Sequence, residues 1–240
     1  MKHFAPFLTV VATALFLLSP FVTPPFTGFD PARFPVPQIN PPVQPAGYAF
    51  AIWGLIYLWL AVLAITGATA RRAAPAWQGI HLPLTLSLGP GALWLWVAGF
   101  APVAASVLIV WMLACALWAL ARAPMTDRWL VQAPIAIYAG WLTAAAHVSA
   151  GVVLGGYGWL SSEAAALLVL ASALTLSLLV LRARPHAPEY GLTVIWALVG
   201  VMVGNLDGSA PVFWAAGAAL ATIAALLIRR AVSGQRARAL

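Results

Sequence analysis

Eight runs of apolar residues, each close to the thickness of a bilayer, leave this chain almost no soluble fold to adopt. They fall near residues 4–22, 47–69, 82–100, 102–121, 130–150, 161–181, 190–205 and 210–228, the seventh being the shortest. About 20 helical residues cross a hydrocarbon core, and only helices satisfy their own backbone polar groups there. Charged residues make up 7% of the chain, against roughly 25% in ordinary soluble domains, and mean hydropathy is +0.96. The expectation is an all-α polytopic membrane protein with about eight transmembrane helices.

The net charge of +7 would suggest nucleic acid in a soluble protein. Here the basic residues flank apolar runs, so the excess of cations on the cytoplasmic side explains them better, and no nucleic-acid partner is expected. With a cytoplasmic amino terminus, the inner loops hold Lys2, Arg71, Arg72, Arg122, Arg128, Arg182, Arg184, Arg229, Arg230, Arg236 and Arg238, which is 11 of the 12 Lys and Arg residues. Only Arg33 falls on the far side. The expected placement is integral to a bacterial inner (plasma) membrane, with the lipid bilayer as partner and both termini cytoplasmic. Lys2-His3 followed by Phe4–Leu18 also suits a signal peptide. No small-x-small cleavage site follows cleanly and Pro20, Pro24 and Pro25 crowd the region, so an uncleaved first helix is preferred.

Residues 23–46 carry eight prolines, with Asp30 and Arg33 the only charges. Proline has no N–H to donate and restrains its neighbour, so this loop is extended and stiff, either a lid over the bundle mouth or a rigid spacer. The stretch P-A-G-Y-A-F-A-I-W-G-L-I-Y-L-W, Pro45–Trp59, follows it. Phe50, Trp53 and Tyr57 are three and four apart and share one helical face, with Trp59 away from it. Two readings stay open: interfacial belt with helix packing, or the wall of a pocket for a flat apolar molecule.

In the third run Gly89-Pro90-Gly91 should kink or unwind the helix, and Trp94 and Trp96, two residues apart, cannot both face one cavity. In the fourth, Trp111 and Trp118 stand a heptad apart and read as core packing. In the fifth, Tyr138 and Trp141 share a face, Gly140 and Ala144 suit close helix contact, and His147 is the one ionisable side chain well inside an expected span. Gly151-x-x-x-Gly155 and Gly200-x-x-x-Gly204 are packing signals. Glu163, Asn205, Asp207 and His147 are expected at one mouth of the bundle, with the Pro-rich loop. Cys115 is the only cysteine, so no intrachain disulfide forms. No paired mid-membrane carboxylates, metal-ligand spacing or phosphate loop is present, so no metal, required cofactor or catalytic residue is expected.

The Pro45–Tyr57 stretch resembles the second-helix signature of the TspO/MBR family, the tryptophan-rich sensory proteins related to the mitochondrial translocator protein. Leu88–Trp94 and Pro134–His147 resemble its third and fifth helices, and the likeness covers roughly residues 4–150. Gly89-Pro90-Gly91 replaces the family's third-helix Asn, and His147 falls at or beside its fifth-helix Asn. The resemblance implies a five-helix bundle over 1–150, followed by a three-helix extension with a basic tail over 151–240. It implies a porphyrin (tetrapyrrole) or sterol-like ligand among the first five helices, with Phe50, Trp53, Tyr57, Trp94, Tyr138, Trp141 and His147 around it. His147 would ligate a haem iron or pair with a propionate. The family places its first loop on the cytosolic side, whereas the charge count places it outside, and the count is followed here. A membrane receptor or sensor, possible as a homodimer, is the leading expectation. A permease or accessory transport protein for a small hydrophobic solute is the alternative, and light-dependent porphyrin degradation is the weakest reading.

Overall fold

Proline and its missing N–H set several helix boundaries: Pro6, Pro102 and Pro188 stand in first turns, where the absent donor costs nothing. The structure, a computed structural model, describes residues 4–236, so Lys2, His3 and Arg238 of the expectations above lie outside the described residues. Among the described residues the chain is all-helical: α1 Ala5–Val22, α2 Ile52–Ala68, α3 Gln78–Gly91, α4 Trp94–Ala98, α5 Pro102–Arg122, α6 Gln132–Gly156, α7 Ser162–Ala183, α8 Pro188–Gly204 and α9 Ala210–Arg236. A 3-10 turn, Gly47–Ala51, leads into α2.

Among the described residues six helices are long and apolar enough to cross a membrane: α1, α2 with its leading turn, α5, α6, α7 and α9. Of the eight apolar runs, the seventh gives α8, of 17 residues, and the third is broken into α3 and α4. One end collects the arginines: Arg71 binds Asp127, Arg128 binds Glu189, Arg184 donates to the Ala121 and Ala123 carbonyls, and Arg230 donates to Leu181 O. The last two sit on helix C-termini, where carbonyls lack helical partners and the dipole favours a cation. The other end holds the Pro-rich loop, the α6–α7 turn and the α8–α9 turn, joined through Val36 N–H to Gly156 O at 2.9 Å and Asn205 Nδ2 to Pro42 O at 2.7 Å.

α6 is the centre of the bundle, packed against α2, α5, α7 and α8. Gly140 lets α8 approach it backbone to backbone: a Cβ there would lie 2.6 Å from Tyr190 O. Beside this contact the Thr143 and Tyr190 hydroxyls hydrogen-bond at 2.8 Å, which satisfies two polar groups in an apolar core.

Prolines inside helices free carbonyls, and side chains take them up. Pro20 leaves Phe16 O without its usual donor, and Ser19 Oγ donates to it at 2.9 Å. Pro90 leaves Leu86 O, and Trp111 Nε1 donates to that oxygen at 3.0 Å. The Gly89-Pro90-Gly91 hinge ends α3 at Gly91, and the chain resumes as α4.

Trp111 and Trp118 correct the core-packing expectation, being 48% and 39% exposed on the bundle's outer face. A heptad spacing marks one face but cannot say whether that face meets protein or lipid. His81 corrects the statement about His147. The 3-10 turn Pro75–Trp77 starts the third run early, so α3 takes in His81, which is 1% exposed. Its Nδ1 lies 3.1 Å from Thr9 Oγ1, which also lies 3.1 Å from Thr85 Oγ1.

The Arg71–Asp127 pair is bidentate, at 2.7 and 2.9 Å, and Trp77 Nε1 donates to the same carboxylate at 3.2 Å. The Arg71 hydrogen bonds hold the Asp127 carboxyl below the ordinary aspartate value. A depressed folded value means that the pair's stabilisation is present above the unfolded aspartate value, near about 4, and is lost as pH falls through the folded one. Thermal unfolding of the wild type and Asp127→Asn across acid pH should therefore show a constant gap above about pH 5 that closes below about pH 4. A gap that widens on acidification would contradict this assignment.

Candidate ligand cavity

The residues that the sequence sets on one face of α2 do point one way. Phe50, Trp53 and Tyr57 all line a cavity of about 290 Å³ near the loop end of the bundle. Trp53 and Tyr57 stack, with centroids 5.3 Å apart and planes at 23°, which presents a flat aromatic surface. Trp141 of α6 stands edge-on to Trp53 at 6.1 Å and to Phe50 at 5.8 Å. Phe16 of α1 packs edge-on against both rings of the stack, at 5.9 and 5.7 Å. Trp59 lies elsewhere, stacked on Trp129 with centroids 6.1 Å apart.

Trp94 lines the cavity from the start of α4, with Nε1 donating to Ala105 O at 2.9 Å. Trp96 is 61% exposed, as the pair's spacing requires. His147 also lines the cavity, and its Nδ1 is 2.6 Å from Thr143 O. A carbonyl can only accept, so Nδ1 carries a proton, and in the neutral ring Nε2 is then the acceptor. Tyr138 is not on the wall. It is fully buried behind Phe16, at 5.9 Å, with its hydroxyl 2.9 Å from Ser87 Oγ. Trp141 Nε1 is buried and meets no acceptor among the described residues.

The roof is the Pro-rich loop: Pro24, Pro25, Phe26, Phe29, Gln44 and Pro45 all reach the cavity. Phe26 meets Trp94 edge-on at 4.9 Å. The loop is held by bonds to helices far along the chain. Ala46 N–H donates to Gly200 O at 2.9 Å, Trp196 Nε1 to Ala49 O at 2.9 Å, and Ser162 Oγ to Gln38 Oε1 at 3.1 Å. Glycines make the fit possible. A Cβ on Gly156 would lie 2.3 Å from the Phe34 ring, and one on Gly200 would lie 3.0 Å from Pro45 Cβ. The polar residues expected at this mouth divide. Asn205 holds the loop, Glu163 accepts from Ser209 Oγ at 2.6 Å, Asp207 is exposed, and His147 stands apart in the cavity wall.

Sequence reasoning missed Phe16, the loop phenylalanines and Met112 of α5, and it missed the opposite wall entirely. Val169, Leu170 and Ala173 of α7, with Val194, Ala197, Leu198 and Val201 of α8, also border this space. The α8 set falls at i, i+3, i+4 and i+7, a signal present in the sequence but indistinguishable there from a lipid-facing stripe. No Asp, Glu, Lys or Arg lines the cavity. No cluster of three metal-ligating side chains occurs among the described residues. The space can therefore hold a neutral apolar molecule, oriented by aromatic faces and by a few polar groups.

A family model described as TSPO-like protein matches residues 36–229. The match begins within the Pro-rich loop and takes in most of α9, so it runs well past the end near residue 150 that the sequence resemblance suggested. No curated protein and no solved structure matches the chain.

Proposed function

The chain belongs to the TSPO-like protein family, and from that premise we propose that it is a membrane sensor that holds one flat, uncharged, hydrophobic molecule against the α2 aromatic face. The observation that carries this reading is the Trp53–Tyr57 stack with Trp141 edge-on beside it, facing a cavity without formal charge. Rings stack on such a surface at about 0.5–1.5 kcal/mol per pair beyond burial. A tetrapyrrole ring system would stack on this surface, whereas a sterol-type one would pack against it by apolar burial alone. The carboxylates of a porphyrin cannot be stabilised inside, because no cation is there to pair with them, and so they belong at the mouth beside Gln44. Among the lining groups, His147 Nε2 is suited to a metal at the centre of such a ring. The tethered roof supports retention of the molecule rather than free passage, which ranks sensing ahead of permeation.

Titration of the purified protein with protoporphyrin IX, followed by tryptophan quenching, tests the reading. Trp53→Leu, which removes the ring, should weaken binding about three- to tenfold, the equivalent of one lost stacking pair. Trp59→Phe, on the far stack, should leave it unchanged. Equal effects from both substitutions would place the ligand elsewhere. Energy-independent uptake of the same ligand into proteoliposomes would favour the permease instead.

A further inference from the structure

His147 holds out a hydrogen-bond acceptor that nothing in the protein uses. Its Nδ1 donates to Thr143 O, one turn back on α6, so the free edge of the ring, which carries Nε2, is turned away from that backbone. No donor among the described residues reaches Nε2. Nor is the atom sealed: the unpartnered polar side-chain atoms shut away from any occupant are His81 Nε2, Trp141 Nε1 and Glu189 Oε2. The ring itself lies in the cavity wall.

Neighbouring polar side chains on that wall have spent their hydrogens elsewhere. Ser106 Oγ donates to Pro102 O at 2.8 Å, so in its 2.6 Å contact with Ser149 it accepts the Ser149 proton. Ser19 donates to Phe16 O and Trp94 to Ala105 O. From this open acceptor, and resting on the ligand-binding reading above, we infer that the occupant is a hydroxylated polycyclic aromatic. It is a phenol-type molecule whose O–H donates to His147 Nε2 while its rings lie against the Trp53–Tyr57 stack.

The imidazole and the stack make separate demands. An acceptor left without a donor in apolar surroundings carries the full cost of desolvation, and a hydroxyl removes it. An aliphatic alcohol would satisfy His147 but has no π face for the stack. The spacing sets the size. Trp141, which stands edge-on to Trp53, and His147 are six residues apart on α6, about 9 Å along the helix axis. A single ring does not bridge that span, whereas three or four fused rings do. A neutral phenol also needs no cation, and none lines the cavity. A ring-bound metal would take the same lone pair, so metal-free probes are the discriminating ones.

The test compares 1-hydroxypyrene with 1-methoxypyrene on the full-length protein in one detergent at neutral pH, read by energy transfer from the tryptophans. The two compounds share their rings and differ in the O–H, so their affinity ratio, corrected for micelle partition, isolates the donor. The hydroxyl compound should bind about five- to tenfold more tightly, the share of one buried hydrogen bond. His147→Phe keeps a flat ring without an acceptor and should bring the two compounds within about twofold of each other. His147→Leu repeats the test should the first variant not fold, with protection of the buried Cys115 thiol reporting folding. Trp53→Leu should weaken both compounds alike.

Equal binding of the two pyrenes to wild type, as a water on Nε2 would give, overturns the inference. An undiminished preference in folded His147→Phe, or binding untouched by Trp53→Leu, does the same. Binding of protoporphyrin IX but of neither pyrene overturns it and leaves the proposed function standing. If none of the three binds, both fall.

Discussion

Gly140→Val should lower the stability of the protein by about 3–5 kcal/mol, seen as a drop of about 10 °C or more in the unfolding midpoint. The first added carbon alone would stand 2.6 Å from Tyr190 O and 3.0 Å from Thr193 Cβ, and a backbone oxygen cannot rotate away. α6 and α8 must therefore separate. Overpacking of this kind costs about 1–3 kcal/mol. Separation also breaks the Thr143–Tyr190 hydroxyl bond and leaves polar groups buried without partners, at about 1–3 kcal/mol more. A thiol-reactive dye and a thermal ramp provide the measurement, because the single cysteine is buried and becomes reactive on unfolding. A valine variant melting within about 2 °C of wild type would sink the claim that this close approach holds the bundle together.

Arg128→Ala should cost about 3 kcal/mol, and Glu189→Gln in the same chain should restore most of it. Glu189 is 6% exposed, and a single oxygen, Oε1, accepts both Arg128 contacts, at 2.9 and 2.5 Å. Its Oε2 is buried and has no partner among the described residues. Removing the guanidinium strands a carboxylate in an apolar setting, the expensive way to break such a pair. Arg128 itself is half-exposed and can be hydrated when Glu189 is neutralised, so the penalty sits at the low end of the range for buried pairs. If the double variant is no more stable than Arg128→Ala, the stranded charge is not the cause.

The contrast between what the chain announces and what it conceals has one physical source. In a bilayer both the inward and the outward faces of a helix are apolar, so hydrophobic periodicity loses the contrast that makes it informative in water. Features with a chemical signature of their own survived that loss. The all-helical apolar pattern, the Gly89-Pro90-Gly91 hinge and the shared face of Phe50, Trp53 and Tyr57 could all be read from residue type and spacing. Features that depend on facing direction did not survive it. Trp111 and Trp118 turn outward although their spacing suits a core, and the α7–α8 wall looks like any stripe of Val, Leu and Ala. His81 was hidden by a boundary four residues off, because the Pro75–Trp77 turn starts the third run early. The Pro-rich loop could be read as stiff, but its tethers come from Gly200 and Asn205, far along the chain, and no local pattern pairs them with it.

α8 serves the cavity and the roof at once. Val194, Ala197 and Leu198 border the cavity, while Trp196 and Gly200 of the same helix and Asn205 at its C-cap grip the loop and the turn after it at Ala49, Ala46 and Pro42. A molecule held against Val194, Ala197 and Leu198 would therefore share its helix with the anchors of the roof. If such a molecule favoured the anchored loop, reciprocity would make the anchored loop favour the molecule by the same factor. The outer surface of the loop would then carry news of the cavity to whatever meets that end of the bundle.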